Sequence, residues 1–132
     1  MVRRIALAVF LTLVLFHVVA FAVYGAWSAV TGMQPPAPDS PGTFMLSVFV
    51  QKVGHSTAFV LLFYFGRLAF SRRWFLYATL WWMFSVFGEF GEAILPTYTL
   101  EAALAGVVAE AIDFPLAALI TRRLVGVKAT SD

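Results

Sequence analysis

The chain contains no cysteine, so disulfides, thiolate metal sites and cysteine nucleophiles are excluded together. Any chemistry must run on carboxylate, imidazole, amine or hydroxyl groups. Charge is scarce as well: 12% of the 132 residues are Asp, Glu, Lys or Arg, about half the share of a typical soluble domain. What fills the chain instead is apolar, with 61% hydrophobic residues and a mean hydropathy of +0.88.

Four long apolar runs, at residues 5–30, 44–70, 74–95 and 100–121, are separated by short breaks. Each reaches or exceeds the roughly 20 residues a helix needs to cross a hydrocarbon core. None shows the polar and apolar alternation of a membrane strand. The pattern predicts an all-α polytopic membrane protein with four transmembrane helices in a single domain over residues 1–132. A cleaved secretory signal is the competing reading of the first run, with Arg3 and Arg4 at its start. That run is 26 residues long, well beyond the 7 to 15 or so of a signal's apolar core.

Basic residues are missing from two of the connections. Arg3 and Arg4 precede the first run, Arg67, Arg72 and Arg73 lie between the second and third, and Arg122, Arg123 and Lys128 follow the fourth. The segments 31–43 and 96–99 contain none. This positive-inside pattern predicts cytoplasmic N- and C-termini and an even number of spans; the protein is expected to be multi-pass in a cell membrane, of the bacterial cytoplasmic kind. It also accounts for a pI of about 9.3 without a nucleic-acid partner. The segment from Thr31 to Gly42, with four prolines and two glycines, is expected to be an extended, polyproline-like loop.

Against this background the informative residues are the ionisable ones inside the runs: His17, Lys52, His55, Glu89, Glu92, Glu110 and Asp113. A charge in hydrocarbon costs several kcal/mol, so such side chains face a protein interior or a watery cavity and are kept for a task. Lys52 and His55, Glu89 and Glu92, and Glu110 and Asp113 are each spaced i,i+3 and project from one side of their helix. At about 1.5 Å per residue, His55 and Glu89 lie roughly 22 Å from Phe70 and Trp74, and Lys52 and Glu92 roughly 27 Å. His17 comes roughly 20 Å from Arg4, Glu110 roughly 16 Å and Asp113 roughly 12 Å from Thr121. The expectation is a polar ladder descending from one leaflet past the midplane, with Lys52 opposite Glu92 and His55 opposite Glu89. Gly88, Gly91 and Gly106 would let backbones approach or admit water.

Two such ion pairs would be simple interhelical glue, but they leave Glu110 and Asp113 unexplained. Four carboxylates face one lysine and two histidines, so protons, a metal or a cationic ligand must supply the difference. A neutral acid there would serve a proton carrier or a general acid. No cofactor is expected. A divalent metal on His55, Glu89, Glu92, Glu110 and Asp113 is the alternative, although the Glu-x-x-His element of helix-borne di-iron sites is missing. The aromatic-rich stretch from Phe59 to Trp82 reads as packing and lipid-facing surface, and Arg67 as snorkelling to the headgroups.

The run Lys52-Val-Gly-His55, a tyrosine- and leucine-rich helix after it, and Glu89-x-x-Glu92 with Leu95-Pro96 three residues on resemble the VanZ-like family of small membrane proteins. The resemblance covers about Val50 to Pro96, and Lys52, His55 and Glu89 are the positions that carry over. The chain departs from the family pattern at Glu92, where glutamine is usual, at Tyr98, near the place of an arginine, and at Ala102 to Gly106, where an aspartate and an asparagine are usual. The resemblance implies a role at the cell envelope, linked in the founding member to glycopeptide resistance.

The functional expectation is therefore a small membrane protein whose buried acidic cavity handles a cation, protons or an envelope ligand. An intramembrane enzyme using Glu89 or His55 on a lipid-linked substrate is the alternative, and a non-catalytic subunit of a larger membrane complex is another. Expected partners are membrane lipid and a second copy of the chain or another membrane protein.

Overall fold

The structure, a computed structural model, describes residues 1–33, 40–95 and 98–127. The polyproline-like path expected for the first loop falls largely on residues 34–39, and Pro96 and Lys128 likewise lie outside the described residues. Among the described residues the chain is all-helical: α1 (Val2–Thr31), α2 (Pro41–Phe65), the short α3 (Arg67–Phe70), α4 (Trp74–Glu92) and α5 (Leu100–Val125).

Each helix end has a local cause. α1 stops at Gly32, which takes the left-handed conformation at φ 75° that a Cβ disfavours and donates its N–H to Ser28 O. α2 starts one residue after Ser40 with Pro41 at its first position, where a missing N–H costs nothing. The expected second helix of residues 44–70 is divided at Gly66. The Phe70 ring packs where a Gly66 Cβ would stand, so the chain turns into α3 instead of running on. α4 ends at Glu92 and not at Leu95, since Gly88 and Gly91 weaken its last turn and Pro96 follows in the sequence. α5 is capped by Thr99, whose side chain accepts the Ala102 N–H, and carries Glu101 in its first turn and Arg122 and Arg123 in its last. It runs past the expected Thr121 to Val125 and continues through Pro115.

α1, α2 and α5 are long and apolar enough to cross a membrane. α4 has 19 residues, about 28 Å of helix, is not among these three, and holds Trp74, Tyr77, Trp81, Trp82, Glu89 and Glu92.

α5 is the hub, packed chiefly against α1 on one side and α4 on the other, while α2 leans mainly on α1. Its sequence explains the position. Two rows at four-residue spacing, Ala102-Gly106-Glu110-Phe114-Ala118 and Ala105-Ala109-Asp113-Ala117-Thr121, are small apart from the two acids and Phe114, and all but Glu110 are buried. Small residues let neighbouring helices approach closely where lipid offers no hydrophobic drive for association. Of the three helices fit to cross a membrane, α5 is thus the most enclosed.

Aromatic rings fill the space between the centre of the bundle and the arginine-bearing end. Phe59 is fully buried, stacked on Phe114 at 5.7 Å and edge-on to Phe16 and Tyr77. Phe63, Phe70 and Trp81 extend the cluster around Tyr77, whose hydroxyl donates to Phe59 O. At that end Ser71 Oγ accepts the Val127 N–H at 2.9 Å, tying the α3–α4 turn to the end of α5.

Phe59→Ala is expected to lower stability in detergent or bilayer by about 1 to 3 kcal/mol, the cavity part of a core truncation without the water-transfer part, because the unfolded helix would still lie in apolar surroundings. Phe87→Ala, at a residue 75% exposed, should change it by less than about 0.5 kcal/mol. Unfolding of both variants by denaturing detergent measures the contrast.

Candidate functional site

Counted from the observed helix ends, the ionisable groups other than Glu92 lie within about 8 Å of one another in depth. From the arginine-bearing end, His55 lies at roughly 15 Å, Asp113 at roughly 18 Å, Lys52 at roughly 20 Å, and Glu89, Glu110 and His17 at roughly 22 Å. The expected depths were displaced because the second helix ends at Phe65, five residues early, and α5 runs four residues longer. Lys52 is thereby brought level with Glu110 and Asp113 instead of Glu92.

Lys52, His55, Glu110 and Asp113 line one cleft, with Phe16 and Phe114 as its apolar wall. Its volume of about 10 Å³ is room for about one water molecule. Asp113 is 2% exposed, and its Oδ1 has no hydrogen-bond partner within the protein; Glu110 Oε2 is buried and unpartnered too. Buried carboxyl oxygens need a donor, so these two mark where a proton, water or cation belongs. The Lys52 ammonium stands over the Phe16 ring, 5.7 Å from its centroid, and its charge reaches Glu89, Glu110 and Asp113. Ser85, buried on α4, faces the Glu110 carboxyl.

Glu89 meets the same α5 face one turn from Glu110. Its carboxyl lies directly on Gly106, in the volume a Cβ there would occupy. Tyr98 donates its hydroxyl to Glu89 Oε2 at 2.6 Å, and Tyr24 of α1 lies 3.0 Å from the Tyr98 oxygen and 3.3 Å from the Ala102 carbonyl oxygen. Burial, and then the bonds to Glu89 and Tyr24, push the Tyr98 hydroxyl well above the usual tyrosine range, so it stays protonated.

Several expected placements are corrected. Neither Lys52 with Glu92 nor His55 with Glu89 forms an ion pair: His55 stands edge-on to Trp81 with centroids 5.7 Å apart, and Glu89 is held by Tyr98. Glu92 is exposed in the last turn of α4, away from the cleft. The i,i+3 rule gave it the same side as Glu89, but the helix ends there and its side chain is free to turn outward. His17 bonds the Leu13 carbonyl at 2.8 Å and packs near Phe49, so it belongs to the α1–α2 contact. Gly88 and Gly91 face open space, and only Gly106 makes the close approach. Among the described residues no three of His, Asp and Glu gather closely enough to hold one metal ion. Tyr98 was missed as a site residue, although a tyrosine placed just before a helix-capping threonine and near intramembrane acids is a readable signal.

With this geometry in view, the chain was compared with known proteins: no family model, no curated protein and no solved structure matches it.

Gly106→Ala should push the Glu89 carboxyl off α5 and break its bond to Tyr98. In a double-mutant cycle, Tyr98→Phe is expected to cost about 1 to 3 kcal/mol in the native background and under about 0.5 kcal/mol in Gly106→Ala. Equal costs in both backgrounds would show that Gly106 does not seat Glu89.

Proposed function

We propose that the chain is a four-span membrane protein with both termini cytoplasmic, whose mid-membrane cleft takes up and releases protons from the opposite, outer side. The observation that carries this reading is the pair of buried, unpartnered carboxyl oxygens on Asp113 and Glu110, set in a cleft of water size beside Lys52 and His55. Lys52 can balance one of the three inward carboxyl groups, Glu89, Glu110 and Asp113. The remaining charge is balanced by protons on the acids, because uncompensated charge at this depth costs about 3 kcal/mol or more.

On the arginine-bearing side the cleft is backed by the aromatic cluster of Phe59, Phe63, Tyr77 and Trp81, bordered by an apolar groove of about 410 Å³ beside Leu62, Leu80 and Phe84, while the hydrogen-bonded Glu89–Tyr98–Tyr24 contacts lead toward the other end. Such an arrangement suits a proton-binding element that couples outer acidity to helix packing, and not an open channel. A cleft with room for one water gives little support to a lipid-linked substrate or a bulky envelope ligand. The topology follows from Arg3, Arg4, Arg67, Arg72, Arg73, Arg122 and Arg123 gathering at one end, with α4 as the fourth span. The VanZ-like resemblance adds an envelope role, in which Lys52, His55 and Glu89 would be the shared positions. The outer half of α2, with Leu46, Phe49 and Val50 exposed, would meet lipid or a partner's helix.

Two measurements test this. In proteoliposomes, an external acid pulse followed with a pH dye should show proton uptake by the protein that Asp113→Asn reduces by about half or more, since one of the principal acceptors is gone; uptake equal in the two proteins would contradict the proposal. Because the chain has no cysteine, Ser40→Cys and Arg72→Cys give single thiols. In intact cells an impermeant maleimide should label the first and spare the second.

A further inference from the structure

Tyr24 has one hydroxyl proton and two acceptors in reach, the Tyr98 oxygen at 3.0 Å and the Ala102 carbonyl at 3.3 Å. Tyr98 likewise has one proton and two neighbours, Glu89 and Tyr24. Counting donors leaves two patterns in which the Tyr24–Tyr98 contact carries a proton. When Glu89 is a carboxylate, Tyr98 donates to it and Tyr24 donates to Tyr98, leaving the Ala102 carbonyl without this bond. When Glu89 carries a proton, it donates to Tyr98, Tyr98 to Tyr24, and Tyr24 to Ala102 O, so every donor is satisfied in the reverse direction. A chain that is complete in both directions is built to pass protons by reorientation.

We infer that Tyr98 and Tyr24 form a hydroxyl relay carrying protons between outer water and Glu89, from where they reach the cleft. This deepens the proton-exchange reading above and rests on it. In the inward step, the Tyr98 O–H bond breaks as a Glu89 O–H bond forms; the Tyr98 oxygen takes the Tyr24 proton, and the Tyr24 oxygen takes one from a hydronium ion. One proton leaves water, one arrives on Glu89, and both tyrosines end as neutral hydroxyls. Glu89 sits on Gly106, one turn along α5 from Glu110, so its proton is delivered toward the cleft. The groups facing Glu89 from each element are Tyr24 of α1, Lys52 of α2, Glu92 of α4, Tyr98 of the connection and Glu110 of α5. Of these, only Tyr98 and Tyr24 form a hydrogen-bonded path away from the cleft.

The test is the rate of proton uptake after an external acid pulse to proteoliposomes, read separately from its final extent. Tyr98→Phe should slow uptake on the order of 100-fold while the extent set by the cleft acids is still reached, and Tyr24→Phe should slow it too. Tyr64→Phe, a tyrosine at the arginine-bearing end, should match the native rate. Deuterium oxide should slow the native protein and have a smaller effect on Tyr98→Phe. An unchanged rate in Tyr98→Phe, or rate and extent falling together, overturns the relay; should that variant not accumulate, Tyr24→Phe decides by the same readings. Failure of the underlying reading looks different: uptake would then be insensitive to Asp113→Asn.

Discussion

The constraint on which this molecule depends is the cost of burying carboxyl groups and an ammonium among helices apolar enough to cross a membrane. Each such group must leave the lipid-facing surface, and the structure has one place to put them, against α5. That helix can sit between α1 and α4 because its two inward rows are mostly alanine and glycine. The same small residues leave space where acids can turn inward. Gly106 does both at once, since the missing side chain is replaced by the Glu89 carboxyl of the neighbouring helix.

Packing then divides the interior into two chemically distinct halves. Toward the arginines, aromatic rings exclude water, with Tyr77 satisfied by the Phe59 carbonyl. Away from them, hydroxyl and carboxyl groups connect α1, α4 and α5 near the point where α5 begins. The cleft lies at the boundary, walled by Phe16 and Phe114 and faced by Lys52. A charged group there sees a low-polarity floor and few competing donors, so a change in protonation has large consequences for the neighbours it can hold. That is the physical link between composition, packing and the proposed exchange of protons.

Much of the fold was legible because long apolar runs have few alternatives, and three of them appear as helices fit to cross a membrane. The helix ends were less legible. Gly66 divides the second run because Phe70 folds over it, a contact between residues of one turn that composition does not display. That shift of five residues moved Lys52 and His55 along the bundle axis, so Lys52 stands level with Glu110 and Asp113 and not with Glu92. Glu92 and His17 show the limit of spacing arguments: helical phase gives a side, and the helix end or a local carbonyl decides whether the group turns inward. The four-residue rows of small residues in the last helix were readable as the mark of a central helix, as was Tyr98 beside the capping Thr99. Both signals needed the bundle's order before their meaning emerged.

The most direct measurement of the central claim is infrared difference spectroscopy of the protein in bilayers on changing external pH, watching the C=O stretch of protonated carboxyl groups. The account predicts a carboxyl band that changes with external pH, loses intensity in Asp113→Asn and shifts in frequency when Lys52 is replaced by glutamine. A spectrum in which no carboxyl band responds to pH, or in which the response is indifferent to both replacements, would contradict it.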